Sequence, residues 1–383
     1  MHEEAGFPGL LSCWGPGVPP GEARRRKART MLKRIMLFLT LIAGVALLVA
    51  ACGDDDNGGS EDDSQLVVIT HDSFNITKDL VSQFEKDNKT TVKLVPKGDA
   101  GAMLTSLILT KGNPEGDVSF GVDNTFLSRA VDQGVFQEYQ SPLLNKVPAD
   151  LKADSTKFAT PIDYGYVNFN YDIEGLKKAG APVPQKLEDL TDAKYKGLVV
   201  VENPASSSTG LAFMNATVDY FGADKWLDWW KAMRKNDLKV VDGWETAYNV
   251  NFSLHGGGQP IVLSYATSPA YEQMAAKPAR SDSPTANFIP AKGAFRQIEY
   301  AGVLKGTKRP KLAQKFIDFL LSKAVQEDVP GQMAVYPVNS DAAVPDAFTK
   351  FAKVDVAPAK VSPGDIAKNR DSWIDQWTKA VVQ

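Results

Sequence analysis

From residue 65 onward, short uninterrupted apolar runs rich in β-branched residues take turns with stretches whose apolar residues recur every three or four positions. Leu66-Val67-Val68-Ile69-Thr70 is the kind of run that a strand buried on both faces of a parallel sheet requires. A helix is expected between Lys78 and Asp87, where Leu80, Val81 and Phe84 share one face, and Thr91 to Val95 restores a strand. A second helix, from about Ala100 to Thr110, carries Met103, Leu104, Leu107 and Leu109 and leads into the strand Val118-Ser119-Phe120-Gly121. The alternation then restarts: a strand over Gly197 to Val201, a polar turn at Asn203 to Ser208, a helix from Thr209 to Tyr220, a strand from Gln259 to Tyr265 and a helix opened by Tyr271. Strand and helix in turn predict an α/β fold, which places ligands beyond the carboxyl ends of its strands.

Two such units imply two lobes. Between them Thr160 to Asp172 (TPIDYGYVNFNYD) alternates like an extended crossover strand. Arg296 to Gly306 (RQIEYAGVLKG) reads as the return crossing, ahead of an amphipathic helix that buries Leu312, Phe316, Ile317, Phe319 and Leu320. Two connections between two lobes make a hinged cleft that closes on a ligand. The expected division is residues 65–162 with 297–340 for lobe 1, 163–296 for lobe 2, and 341–383 as a C-terminal helical segment packed on the lobes. Trp226, Trp229 and Trp230 on one short helix, and Trp373 and Trp377 four apart on another, read as lobe packing.

The segment ahead of this body sets where it works. Lys33 and Arg34 introduce an apolar run from Ile35 to Leu48 that closes on Val49-Ala50-Ala51-Cys52, small residues before a cysteine able to carry diacylglycerol. The segment reads as a bacterial lipoprotein signal, with a transmembrane helix as the alternative. The run to Ala51 is barely long enough to span a bilayer. Residues 1–51 are therefore expected to be a leader, and residues 52–64, Cys52 followed by GDDDNGGSEDDS, a flexible acidic tether. The mature protein is expected outside the cytoplasm, a monomer held to the cell membrane through lipidated Cys52.

Charge and cysteine content narrow the chemistry. The whole chain carries a net charge of −3, and the leader takes away more basic than acidic residues, so a nucleic-acid partner is not expected. Of the 2 cysteines, Cys13 leaves with the leader and Cys52 is the lipid site, which leaves no disulfide, thiolate metal site or thiol nucleophile. The chain has no Gly-x-Ser-x-Gly elbow and no His-Glu-x-x-His, and His71 and His255 have no evident triad partners, so catalysis and a cofactor are not expected. Ser206, Ser207 and Ser208 precede a helix, where they offer either an anion site or an ordinary serine cap.

Five local sequences occur in a telling order: His71-Asp72-Ser73-Phe74, Gly121-Val122-Asp123-Asn124, Asp163-Tyr164-Gly165-Tyr166, Gly243-Trp244 with Tyr248 one helical turn on, and Ser264 to Tyr271 (SYATSPAY). With them the chain, over nearly all of residues 66–383, resembles the type II solute-binding proteins of ABC importers, in particular the thiamine-binding branch. The resemblance implies a two-lobed type II periplasmic-binding-protein fold with two crossover strands, thiamine as cargo with its phosphates as further candidates, and ABC permease subunits as partners. Thiamine joins a flat aminopyrimidine to a permanently cationic thiazolium, so its binder needs aromatic faces, a carboxylate and donors for the pyrimidine edge.

By the same resemblance Trp244, Tyr265 and Tyr271 supply aromatic walls, Asp99 a site carboxylate, and Ser207 a ligand contact that extends to the monophosphate. Asp123 and Asp163, at strand ends, are the next candidates for facing the cation, with a turn or helix cap as the alternative; Tyr164 is the crossover tyrosine expected to line the cleft. Two positions depart from the family members of enteric bacteria, which carry aromatic residues where His71 and Ala334 stand. Losing one or two such walls, at about 0.5–2 kcal/mol each, is expected either to weaken binding by about one to three orders of magnitude or to admit a related cation. A neutral His71 suits a cationic neighbour, whereas a protonated one repels it. The rival cargo on the same fold is ferric iron or another small solute. Iron wants several hard anionic or phenolate ligands; Tyr265 and Tyr271 qualify, but Trp244 is then idle.

Overall fold

The structure is a computed structural model that describes residues 64–152 and 157–383. The leader, Cys52 and the tether up to residue 63 lie outside the described residues. Among the described residues no helix is long and apolar enough to cross a membrane.

Strands β1 (Gln65–Thr70), β2 (Thr91–Pro96) and β3 (Val118–Asp123) form a parallel triplet in the order β2-β1-β3, linked by helices Lys78–Asn88 and Ala100–Leu109. The next strand, β4 (Thr160–Asp172), is the expected crossover with the bounds read from its alternation. A second parallel triplet follows, β5 (Val199–Glu202), β6 (Lys239–Val241) and β7 (Ile261–Tyr265), with β5 between the other two. After the short β8 (Thr285–Phe288), the return strand β9 (Phe295–Val303) runs antiparallel to both β3 and β4. The sheet order is therefore β2-β1-β3-β9-β4-β7-β5-β6, with β8 and a two-residue β10 (Tyr336–Pro337) also pairing with β4. Two parallel triplets joined by two antiparallel crossovers make the type II solute-binding architecture that the sequence predicts.

Packing follows the apolar pattern. Trp226, Trp229, Trp230 and Trp377 are buried, and Trp230 meets Trp377 edge-on at 5.4 Å. The Trp229 and Trp230 indole N–H groups donate to the Leu187 carbonyl and the Thr217 hydroxyl, which satisfies the polar end of each ring. Helix Pro310–Leu321 buries Leu312, Phe316, Ile317 and Leu320, as its period requires. Helix Ser268–Ala275 starts three residues ahead of Tyr271, because Pro269, with its fixed φ and no N–H to lose, suits a first turn.

Two irregularities position the site. Pairing of β3 with β9 slips between Phe120 and Val122, and pairing of β4 with β9 slips between Pro161 and Asp163. Gly121 has φ of 105°, a conformation open to glycine, and Pro161 has no N–H for the ladder; both are residues at which a bulge is easily made. Each bulge inserts one residue. The result is that Asp123 and Asp163, on strands either side of β9, both come opposite Glu299.

Candidate functional site

The carboxyl ends of both parallel triplets face one region. His71 follows β1, Asp99 follows β2, Ser206 to Ser208 follow β5, Trp244 follows β6, and Tyr265 ends β7. Asp99 is the N-cap of helix Ala100–Leu109, as a short acceptor before a helix should be. Its Oδ1 accepts from the Ala100 N–H at 2.6 Å and from the Ser208 N–H at 3.3 Å, while Oδ2 accepts from the Trp244 N–H at 3.0 Å. One carboxylate thus ties the first triplet to two segments of the second. Alongside, the Gly101 and Ala102 N–H groups donate to the Ser206 carbonyl at 2.9 and 3.3 Å.

Trp244 is the central wall. Its indole stacks on Tyr248 at 4.9 Å and 12°, and its Nε1–H donates to Ser264 Oγ at 2.8 Å. Tyr265 stands 6.5 Å from it at a tilt, with its hydroxyl donating to Gln297 at 2.6 Å. Behind Tyr248, Glu272 accepts from the Tyr248 hydroxyl at 2.9 Å and lies 3.1 Å from His255 Nε2.

Three cavities meet around Trp244 and Ser73. An open one of about 1010 Å³ is bounded by Trp244, Tyr248, Tyr271, His255, Arg280 and Ala334, among others. A small one of about 30 Å³ is lined by His71, Ser73, Asp99, Ser208, Thr209, Trp244, Tyr265, Glu299, Met333 and Val335. None of these described lining residues is Lys or Arg. A third of about 170 Å³ reaches from His71 and Asp99 to Gly243 and Thr246.

His71 sits with its ring 5.4 Å from Phe120 and directly over Gly121, where a Cβ would fall 2.2 Å from His71 Cδ2. Only glycine leaves room for it. Nδ1 accepts from the Ser73 N–H at 3.1 Å, which puts the ring proton on Nε2, facing Glu299 Oε1 at 3.4 Å. Burial lowers the imidazole pKa, but Glu299, with Asp99 and Asp72 behind it, outweighs burial and leaves it above its ordinary value. The Ser73 N–H acts the other way, because it needs the neutral ring.

Beneath this floor lies a row of acids. Asp163 is fully buried with neither oxygen hydrogen-bonded, and burial together with the charge and proximity of Glu299 holds its carboxyl well above the usual range. Asp123 is raised to about 7 by burial, moderated by the Thr125 hydroxyl and raised further by Glu299. Glu202, at the end of β5, is buried with both oxygens unpartnered, and burial with the nearby Asp99 charge pushes it well up.

The residues singled out in the sequence are therefore placed as follows. His71, Asp99, Trp244 and Tyr265 share the small cavity, and Tyr271 lines the large one. Asp123 and Asp163 lie in the acid row under the floor, and Asp123 also caps the turn at Thr125 and Phe126. Ser207 is buried as the N-cap of helix Ser208–Phe221, accepting from the Gly210 N–H at 3.4 Å, while its neighbours Ser208 and Thr209 reach the cavity. Tyr164 stacks on Tyr336 at 5.2 Å and lines none of the three cavities. Ala334 has φ of 59° and closes helix Lys323–Met333 at the edge of the large cavity. Glu299 and Glu202 were not singled out. The available signal for Glu299 was a carboxylate inside an apolar run that has to cross the middle of the sheet.

Comparison with known proteins places these features in a family. Residues 116–358 match the model of a family described as bacterial extracellular solute-binding protein. The thiamine-binding periplasmic protein of Escherichia coli (strain K12) is 32% identical over 322 residues, which cover 82% of this chain and 93% of that one. A solved periplasmic thiamin binding protein superposes with a TM-score of 0.74 at 30% identity, over 85% of this chain and 98% of its own. Iron-bound HitA from Pseudomonas aeruginosa, with a TM-score of 0.65, 20% identity and coverage of 82% and 99%, shares the fold.

Proposed function

The chain belongs to the bacterial extracellular solute-binding proteins, and on that premise we propose that it captures thiamine, and its phosphates, outside the cytoplasm and passes them to an ABC permease. No bond is made or broken in this reading. The observation that carries it is the wall at which the cavities meet: Trp244 and Tyr265 stand with the carboxylates Asp99 and Glu299 around the small one, Trp244, Tyr248 and Tyr271 face the large one, and further buried acids lie behind. Such a lining favours a flat cation, while a phosphate on it belongs on the side of the large cavity, where Lys277 and Arg280 stand. The large cavity beside it supplies volume in the range of small-molecule sites, and Trp244 stands between the two. The Asp99 contacts to Ser208 and Trp244 tie the two triplets together beside the site, and in this reading closure of the cleft shields the cation from water. Closure also gives the permease a surface by which to tell loaded from empty protein.

Trp244→Ala tests the aromatic wall. Thiamine should quench tryptophan emission in the parent, and the variant should lose both that signal and at least about tenfold in affinity, the equivalent of one strong ring contact. A variant that folds and binds as tightly as the parent contradicts the wall. The lipid anchor is tested separately: Cys52→Ser should move the protein from the membrane fraction to the soluble fraction, and retention in the membrane contradicts anchoring through Cys52.

A further inference from the structure

The floor of the small cavity is built by register. Because β3 and β4 each carry a bulge, Asp123, Glu299 and Asp163 stand side by side on three neighbouring strands. Like charges opposite one another destabilise a sheet, so an acid row in its centre calls for a positive partner or for protons. Asp163 is buried with both oxygens unpartnered, whereas Glu299 reaches the cavity. Among the described residues the group in contact with Glu299 that can carry a positive charge is the His71 ring, whose Nε2 lies 3.4 Å from Glu299 Oε1.

We propose that His71 and Glu299 form a charge-selecting subsite: Glu299 receives the fixed positive charge of the cargo, and His71 must be neutral for that charge to enter. The proposal rests on the reading of the cargo as thiamine. In the neutral ring Nδ1 accepts from the Ser73 N–H, and Ser73 lines all three cavities. A proton on Nδ1 turns that hydrogen bond into a clash of two N–H groups and puts a cation against Glu299. Acid therefore loosens the wall and fills the cation's place at once.

The groups that act on His71 share one sign. Glu299 comes from β9, Asp99 from the turn after β2, and Asp72 from its own loop, while Phe120 and Gly121 of β3 cover the ring. Behind Glu299, Asp163 and Asp123 complete the set. As pH falls, His71 gains a positive charge and Asp123 loses a negative one, so both changes disfavour a permanent cation. Affinity must fall with acid, never rise. By reciprocity, thiamine must lower the proton affinity of His71 by the factor through which a proton lowers the affinity for thiamine.

Calorimetry of the parent and of His71→Phe with thiamine from pH 8 to pH 6, together with NMR titration of the two histidines in the described body, tests this. Expected are a Kd that rises about tenfold or more in the parent and less than about threefold in His71→Phe, and a His71 ring pKa about one unit lower with thiamine bound. Glu299→Gln should weaken binding at pH 8 by about tenfold or more. A parent profile flat with pH, a full acid loss retained by His71→Phe, or a His71 titration unmoved by thiamine overturns the proposal and leaves the cargo reading standing. No binding by the parent at any pH removes both. The NMR arm keeps the test decisive if the Phe variant fails to fold.

Discussion

Asp123 shows how a single side chain can be pulled in two directions. Its Oδ1 accepts from the Thr125 hydroxyl at 2.7 Å and from the Thr125 and Phe126 N–H groups at 3.2 Å each, while Oδ2 is buried with no partner. Burial raises the carboxyl from 3.8 to about 7. The folded state then holds a proton that the unfolded chain has already released, so stability falls as pH rises from about 4 to about 7. Asp123→Asn keeps the accepting oxygen and replaces the ionisable one. It should raise unliganded stability at pH 8 by on the order of 1–4 kcal/mol and match the parent near pH 4, as read by urea denaturation. Equal midpoints at pH 8 would contradict a strained buried carboxylate. Among the site residues, those carried by local motifs were legible in the sequence: His71, Asp99, Trp244 and Tyr265 meet in one cavity. Glu299 was not, because its place depends on strand register, and register here depends on two bulges that Gly121 and Pro161 permit but do not by themselves dictate.

Helices and strands differ in how far local sequence determines them. The helix Ala100–Leu109 was legible from its apolar face, yet what it does depends on its first turn lying against Ser206. A Cβ on Gly101 would fall 2.7 Å from the Ala205 carbonyl oxygen and 2.8 Å from that of Ser206, both backbone atoms that cannot swing aside. Gly101→Val should therefore hold the two triplets apart, with a larger radius of gyration by small-angle scattering and thiamine affinity weakened by about tenfold or more. Unchanged scattering and affinity would contradict a role for this contact in the ligand-binding form. The long strands announce themselves through composition. The short β6, β8 and β10 do not, since β8 and β10 owe their extended form to pairing with β4 rather than to their own residues. Helix Lys323–Met333 runs through Pro330, a residue that argues locally for a break.

Two parallel triplets hung on β4 and β9 explain why a binding site forms where it does: the carboxyl ends of both triplets open on one space, and the crossovers put acids in its floor. The same architecture serves iron in other proteins, so the fold alone does not choose the cargo. The choice falls to the lining: the small cavity sets aromatic faces and carboxylates together without a basic side chain among its described lining residues, while Lys277 and Arg280 lie on the large one. The most direct test is calorimetric titration of residues 65–383 at pH 8 with thiamine, its mono- and diphosphate, and ferric ion in turn. Thiamine should bind with a Kd of micromolar or tighter, equivalent to about 8 kcal/mol or more, and ferric ion should neither compete with it nor give a charge-transfer band. No heat with thiamine at micromolar concentrations, or tight ferric binding that thiamine cannot displace, would contradict the account.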